Sequence, residues 1–349
     1  MKRTHEEAGI GVAPPKRFLA RKNAHPRDDR IVFDDSEGRH KYTIYSNASR
    51  MRAIGTNDEA DTTCAHYLSC TTFVKTGFAP FDQCKIAGII VAKCGATSYY
   101  AKYGHLTERD ILDGMWPLFR TLGSYMHDRF EAYYNREWRL RDARRAAEEG
   151  NALFFREFYD EFRAFAAEWP HLVGYFNNEC WMPHLLGDTV EDDRAGSRLP
   201  PIPPEIRAFG RFVNDHRPHL EAYRTEWLVF DEELRLCGAI DIVFYDRNLG
   251  GYVIYDWKRS RQLQWNNYGK HGNAEWSKTI PDTNTMHYRL QLHIYAMMLQ
   301  RQYNIWPCEL ALVRCHPDAR GDYQKFAYSV DQALIEKLID VRKRQIAEL

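Results

Sequence analysis

Three residues in one short stretch have the types needed for phosphodiester hydrolysis. They are Asp241, Asp256 and Lys258, in the segment EWLVFDEELRLCGAIDIVFYDRNLGGYVIYDWK that runs from Glu226 to Lys258. Breaking a phosphodiester requires an activated water, neutralisation of the charge that builds on the phosphate oxygens, and stabilisation of the departing alkoxide. Asp241 and Asp256 are candidates to hold one or two Mg2+ or Mn2+ ions through hard oxygen ligands, and the backbone carbonyl of Trp257 could add a third oxygen. Lys258 would orient or help deprotonate the water, or offset charge on the phosphate; the residue types leave these roles open. A D-x-K triplet alone is common. An acid inside Ile240-Asp241-Ile242-Val243 carries more weight, because a carboxylate buried among aliphatic side chains without a partner is costly.

These residues must be positioned by strands. Ala239 to Phe244 and Tyr252 to Tyr255 have strand composition, and the Asn248-Leu249-Gly250-Gly251 turn signal joins them as a hairpin. Side chains alternate along a strand, so Asp256 and Lys258 share one face while Trp257 takes the other. A further strand is expected over about Ala222 to Phe230. Upstream, apolar residues from Ile111 to Tyr133 recur at three- and four-residue steps, which predicts an amphipathic helix from Asp110 to about Trp138 with Gly123 as a possible break. A second helical segment is expected from Leu153 to Trp169. After the hairpin come a helix from about His287 to Tyr303, a strand from Cys308 to Cys315, another from Tyr323 to Val330, and a helix from about Gln332. The order helix, three strands, helix, strand implies a mixed sheet with helices against its faces.

The whole chain has 349 residues with a formal net charge of zero, which excludes a uniformly basic, histone-like surface but permits a local basic groove. Residues 1–40 are polar and basic, contain Pro14-Pro15 and lack periodicity, and are expected to be a mobile arm. Residues 41–349 are expected to form a single domain, with a helical and loop insertion at about 138–220 that includes the acidic, then proline-rich connector from Gly187 to Pro204. No apolar run approaches bilayer length and no charged-then-apolar leader is visible, so a soluble, intracellular protein is expected. None of the eight cysteines stands in a C-x2-C pair, which argues against a zinc ribbon or a clustered iron–sulfur site. The loop from Arg261 to Met286 interleaves basic and aromatic residues. Arg259, Arg261, Trp265, Tyr268 and Lys270, with His271, Trp276 and Lys278, suit contact with single-stranded nucleic acid by phosphate neutralisation and base stacking.

Taken together, these features resemble the PD-(D/E)XK nuclease superfamily, specifically its RecB-like exonuclease branch. Gly123-Ser124-Tyr125-Met126-His127-Asp128-Arg129-Phe130-Glu131 is similar to that branch's upstream helix motif. Gly238-Ala239-Ile240-Asp241 is similar to its G-x-x-D strand, and Gln291-Leu292-His293-Ile294-Tyr295 to its Q-x-x-x-Y helix. The likeness covers about residues 120 to 300. It implies a restriction-endonuclease-like α/β core, a mixed sheet in α-β-β-β-α-β order, with a helical N-terminal region and an insertion. It implies His127, Asp241 and Asp256 as metal ligands and Lys258 as the catalytic amine. Glu226 matches a glutamate that touches metal or hydrogen-bonds within the site, with Glu131 a competing supporting residue. Gln291 and Tyr295 would contact DNA backbone or order the Lys258 region, with packing into the core the other reading of Tyr295.

Ser69-Cys70-Thr71-Thr72-Phe73-Val74, Phe81-Asp82, the stretch from Tyr100 to Trp116 and Ile280 to Asn284 resemble segments of relatives from large DNA viruses. The hydroxyls of Ser69, Thr71 and Thr72 would hold a DNA phosphate or cap a helix. The implied activity is a Mg2+- or Mn2+-dependent deoxyribonuclease, an exonuclease acting on DNA ends or single strands in viral replication, recombination or repair, in the host nucleus or cytoplasm. The alternatives are a nucleic-acid-binding module that kept the fold without catalysis, and an enzyme acting on another phosphate substrate. Intact Asp241, Asp256 and Lys258 weigh against the binding module. The chain departs from the superfamily in carrying Asp256 where glutamate is common, and from some RecB-like nucleases in lacking the iron–sulfur cysteines.

Overall fold

The computed structural model describes residues 17–34, 41–45, 52–55, 67–93, 106–135, 163–172, 190–191, 198–199 and 203–349. The described residues begin with α1 (Phe18–Lys22) and a small antiparallel sheet of β1 (Ile31–Asp34), β2 (Lys41–Tyr45) and β3 (Arg52–Gly55). β4 (Leu68–Ser69) runs directly into α2 (Cys70–Lys75), followed by α3 (Gln83–Lys93). A π-helical turn, Asp110–Met115, continues into α4 (Trp116–Tyr134). Gly123 does not break α4; nothing lies within 4 Å of where its Cβ would be, so the glycine is simply accommodated on an open side. Residues 163–168 are helical, while the earlier part of the helix expected from Leu153 lies outside the described residues, as does most of the expected insertion. Within it, β5 (Val190–Glu191) pairs antiparallel with β6 (Arg198–Leu199).

After Pro203 comes a helix not expected from the sequence, α5 (Pro204–His216), which Pro204 starts and whose apolar Ile206, Phe209, Phe212 and Val213 are buried. Then follow β7 (Leu220–Asp231), β8 (Leu236–Asp246), β9 (Gly251–Lys258), α6 (Asn284–Gln302), β10 (Pro307–Cys315), β11 (Tyr323–Ser329) and α7 (Gln332–Ala347). The β8–β9 turn forms where expected: Asp246 Oδ1 accepts from the amides of Asn248 and Leu249, and Gly250 supplies the left-handed conformation at φ +66°.

The main sheet has the order β11-β10-β9-β8-β4, with β7 on the other edge of β8. β9 and β10 are parallel, as are β4 and β8, and the remaining pairs are antiparallel. Helices cover both faces. Leu122, Met126 and Phe130 of α4 and Phe209 and Phe212 of α5 pack with Ile242, Phe244, Tyr255 and Trp257 on one side. On the other, α2, α6 and α7 pack through Phe73, Leu290, Ile294, Met297, Ile335 and Leu338 onto Ile240, Val243, Ile254 and Leu312. The mixed sheet between helical layers, in α-β-β-β-α-β order over α4, β7, β8, β9, α6 and β10 with β5, β6 and α5 inserted after α4, is a restriction-endonuclease-like core.

The structure corrects the expectation of an arm without regular structure, from Arg17 onward. The amide of Leu19 donates to Asn135 Oδ1 at the end of α4, and Asp28 forms a buried ion pair with Arg224 of β7. The apolar residues that anchor this stretch are too few to show periodicity, and the two polar anchors have partners 116 and 196 positions away in the chain.

Candidate active site

Two breaks in the regularity of the sheet create the site. The first concerns the edge of β8 that faces β9. Ile242 to Asp246 pair with Tyr255 to Gly251, and Leu236 and Cys237 pair with β4, so no described strand covers that edge at Gly238–Asp241. There the carboxylate of Asp241 replaces the ladder: its Oδ2 accepts the Trp257 amide N–H at 2.8 Å. The second is a change of phase. Ile240 and Ile242 would share a face in a regular strand, yet Ile240 packs on the α6 side and Ile242 on the α4 side. The partner strand β7 does the same at Glu226, whose φ of +41° is left-handed. A left-handed glutamate inside a strand costs about 1 to 3 kcal/mol and persists only where its surroundings enforce it. As a result Glu226 and Asp241 are directed toward the gap rather than into either core.

α4 brings His127 to the same place. Its Nδ1 is 3.5 Å from Asp241 Oδ2 and 3.8 Å from Glu226 Oε1, and one ligand atom from each of the three residues lies within 4.8 Å of the others. From β9, Asp256 and Lys258 point to the α6 side as alternation requires, while Trp257 is buried opposite among Phe130, Phe209 and Phe212. Lys258 Nζ stands 2.6 Å from Asp256 Oδ2 and 4.4 Å from the centre of the Tyr288 ring. The contact is a buried ion pair, with the Lys258 side chain 17% and the Asp256 side chain 4% exposed.

The charges are unevenly matched. Burial works against the His127 imidazolium, but Asp241 and Glu226 outweigh it and hold its pKa at about 9. Burial pushes the Asp241 carboxyl up, with the neighbouring Glu226 adding to it against His127 and Lys258. It pushes Asp256 up as well, opposed by Lys258 and reinforced by Asp241. Burial disfavours the Lys258 ammonium, yet Asp256 and Asp241 together keep it above the ordinary lysine range. Two carboxylates, Glu226 and Asp241, thus meet one imidazole within 4.8 Å, with the buried Asp256–Lys258 ion pair beside them. That donor set fits a divalent cation with a preference for oxygen ligands.

α6 supplies the floor. Gln291 Nε2 donates to Tyr295 Oη at 2.8 Å, and the Tyr295 ring lies over Gly238, where a Cβ would come within 2.8 Å of its Cε1. The glycine of the G-x-x-D segment is there to admit this ring. Tyr295 is buried, which removes it from the residues available to nucleic acid. Tyr288, three residues before Gln291 on the same helix face, was missed in the sequence; its spacing to Gln291 was the available signal.

Other candidates are placed elsewhere. Arg259 is buried in an ion pair with Glu205 of α5, Nε to Oε1 2.7 Å, which corrects its assignment to a DNA-facing surface. Glu131 meets Arg17 at 2.6 Å. Ser69 Oγ accepts the Thr72 amide and contacts its hydroxyl, capping α2, while Thr71 is exposed. Arg261 reaches Asp318 at 3.1 Å. Within the following loop Trp276 is a packing residue against Phe73 and Phe78, whereas Trp265 and Tyr268 are 56% and 76% exposed and Lys270 is exposed beside them in sequence.

A sheet of this topology with an imidazole–carboxylate cluster beside a D-x-K strand defines a metal-dependent nuclease core. The sequence profile of the PD-(D/E)XK nuclease superfamily matches residues 91–348, and the chain belongs to that superfamily, whose nucleases use divalent metal ions and act on nucleic acid. Among proteins of curated function, none matches the chain. No helix among the described residues is long and apolar enough to cross a membrane.

Proposed function

We propose that this protein is a Mg2+- or Mn2+-dependent deoxyribonuclease, an exonuclease acting on DNA ends or single strands in viral replication, recombination or repair. The observation that carries the reading is the convergence of His127, Glu226 and Asp241 within 4.8 Å, beside a Lys258–Asp256 pair at 2.6 Å. The likeness of the segments around Ser69 and Ile280 to those of large DNA viruses supports the viral setting.

A divalent cation held by His127, Glu226, Asp241 and Asp256 would supply charge neutralisation at the scissile phosphate. The protein's own groups do the rest. Asp256 and the ring of Tyr288 orient the Lys258 ammonium, which offsets charge on a phosphate oxygen. The Trp257 amide fixes one oxygen of Asp241 and so the direction of the other. Gln291 is held by Tyr295, whose ring is seated on Gly238 of β8 and so fixes this part of α6 against the sheet. Trp265, Tyr268 and Lys270, on the loop that leaves Lys258, offer two stacking surfaces and a cation to an unpaired strand. Arg261, partly exposed beside Asp318, borders the same path.

The test is cleavage of end-labelled single- and double-stranded DNA by the wild type, Lys258→Ala and Asp256→Ala in Mg2+, Mn2+ or EDTA. Wild-type cleavage should depend on metal. Each variant should lose about 10³- to 10⁵-fold in rate, about 4 to 7 kcal/mol, while still binding DNA. Product ladders would show which end is attacked. DNA binding without cleavage by the wild type under any condition would instead make the chain a binding module of the same fold.

A further inference from the structure

The left-handed backbone at Glu226 needs something to hold it, and the residues on either side of it are tied down by a segment far away in sequence. Arg224 donates from Nη1 to Asp28 Oδ2 at 2.8 Å and from Nη2 to Asp28 Oδ1 at 3.2 Å, both side chains being 6% exposed. Trp227 Nε1 donates to the same Asp28 Oδ1 at 3.1 Å. Asp28 thus grips β7 two residues before Glu226 and one residue after it. The Arg224 guanidinium also donates to the Asn23 carbonyl, and the Asn23 side chain to the Tyr223 carbonyl, so the grip extends along the strand.

The remaining neighbour, Thr225, is tied to the helix that carries His127. Its hydroxyl accepts from Asn135 Nδ2 at 2.8 Å, and Asn135 Oδ1 accepts the Leu19 amide at 3.0 Å. One turn earlier on α4, Glu131 pairs with Arg17. Residues 17–28 therefore bridge the two elements, α4 and β7, that deliver His127 and Glu226 to one point, and they precede the region covered by the superfamily match. Asp28 and Asn23 reach β7 through Arg224, Trp227 and the Tyr223 carbonyl, and Leu19 reaches α4 through Asn135. A connection of this kind acts on the geometry of the ligands, not on their chemistry.

We propose that residues 17–28 are a brace that completes the metal site, with Asp28 a positioning residue that enforces the left-handed Glu226 through Arg224 and Trp227. The proposal rests on the reading of His127, Glu226 and Asp241 as metal ligands. Without Asp28 the strand relaxes toward regular β geometry at Glu226, and that carboxylate turns away from His127 and Asp241.

The experiment is calorimetric titration of Mn2+ into the full-length wild type, Asp28→Ala, Thr225→Val and Glu226→Gln, with thermal melting of each in EDTA. Loss of an orienting partner should weaken Mn2+ binding about 10- to 100-fold in Asp28→Ala protein that is still folded at the titration temperature. Asp28→Asn, which keeps an oxygen acceptor for Trp227, should recover part of that loss. Thr225→Val removes only the hydroxyl tie to Asn135 in a β-branched frame, and it decides the question if Asp28→Ala fails to fold. A lowered melting temperature with Mn2+ affinity within twofold of wild type in Asp28→Ala and Thr225→Val, but lost in Glu226→Gln, would overturn the brace while leaving the metal site standing. Absent Mn2+ binding in the wild type, or unchanged binding in Glu226→Gln, would overturn both.

Discussion

At the scale of single residues, the site is built where regular strand geometry stops. Asp241 substitutes a side-chain oxygen for a ladder partner, and Glu226 takes a backbone conformation that strands avoid. Gly238 is the counterpart of these exceptions, since its missing side chain is the space occupied by Tyr295. Gly238→Ala places a methyl 2.8 Å from the Tyr295 ring and 3.0 Å from Cys70 Sγ, both buried and unable to swing out. Restricting the unfolded chain would favour alanine by about 0.4 to 1 kcal/mol, but overpacking costs about 1 to 3 kcal/mol and should win. Urea unfolding of Gly238→Ala should therefore show a net loss of stability, and a variant as stable as wild type would mean that α6 can shift without cost.

At the scale of elements, the carboxyl ends of β9 and β10 carry a cluster of three arginines, two of them paired with carboxylates. Arg259 is neutralised by Glu205 and Arg261 by Asp318, while Arg314 donates to the carbonyls of Ser260 and Arg261. His316, just beyond β10, is enclosed by this cluster. Burial, then the positive charge of Arg259, Arg314 and Arg261, lowers its pKa to about 2, and its Nδ1 accepts the Asp318 amide, as only an unprotonated nitrogen can. The unfolded chain binds a proton at His316 below about pH 6.5 while the folded chain does not until about pH 2. Stability from this residue is thus present above about pH 6.5 and declines as pH falls toward 2. His316→Asn keeps an acceptor for the turn without the titration. Melting temperatures measured across that range should fall less steeply for the variant, and parallel curves would show that other groups set the acid limb.

At the scale of the molecule, two helical layers enclose a sheet whose weakest seam is the place where acidic groups gather. Burial and mutual repulsion raise Asp241 and Asp256, a cost to the metal-free fold that a bound cation would relieve. Ligand binding to the native state alone adds about 2.7 kcal/mol at a hundredfold excess over Kd. Mn2+ should accordingly raise the melting temperature of the wild type relative to EDTA, and His127→Ala should lose most of that rise. An unchanged response in the variant would take the histidine out of the metal site.

Much of this was legible in the chain. The acid within Ile240-Asp241-Ile242, the Asp256–Lys258 alternation and the Gly250 turn are local, and local periodicity determines which residues share a strand face. Strands β7 to β11 and helices α4, α6 and α7 follow from the same short-range pattern, as does their order. The sequence by itself also indicated that an acid and an amine would stand together on β9, because a regular strand puts residues i and i+2 on one face. Tertiary structure alone decided the rest. Between the two readings of Tyr295, nucleic-acid contact and core packing, its seat on Gly238 decides for packing, and Arg259, with the residue type of a phosphate contact, is seated on Glu205; neither distance is encoded by a local pattern. α5 was hidden behind the prolines that precede it. Asp28 and Asn135 are single polar residues whose importance comes from partners 196 and 90 positions away, Arg224 and Thr225. Spacing reports what a backbone of fixed geometry must do over a few residues, whereas the phase change at Glu226 and the gap beside Asp241 arise only when distant strands and helices are packed against each other.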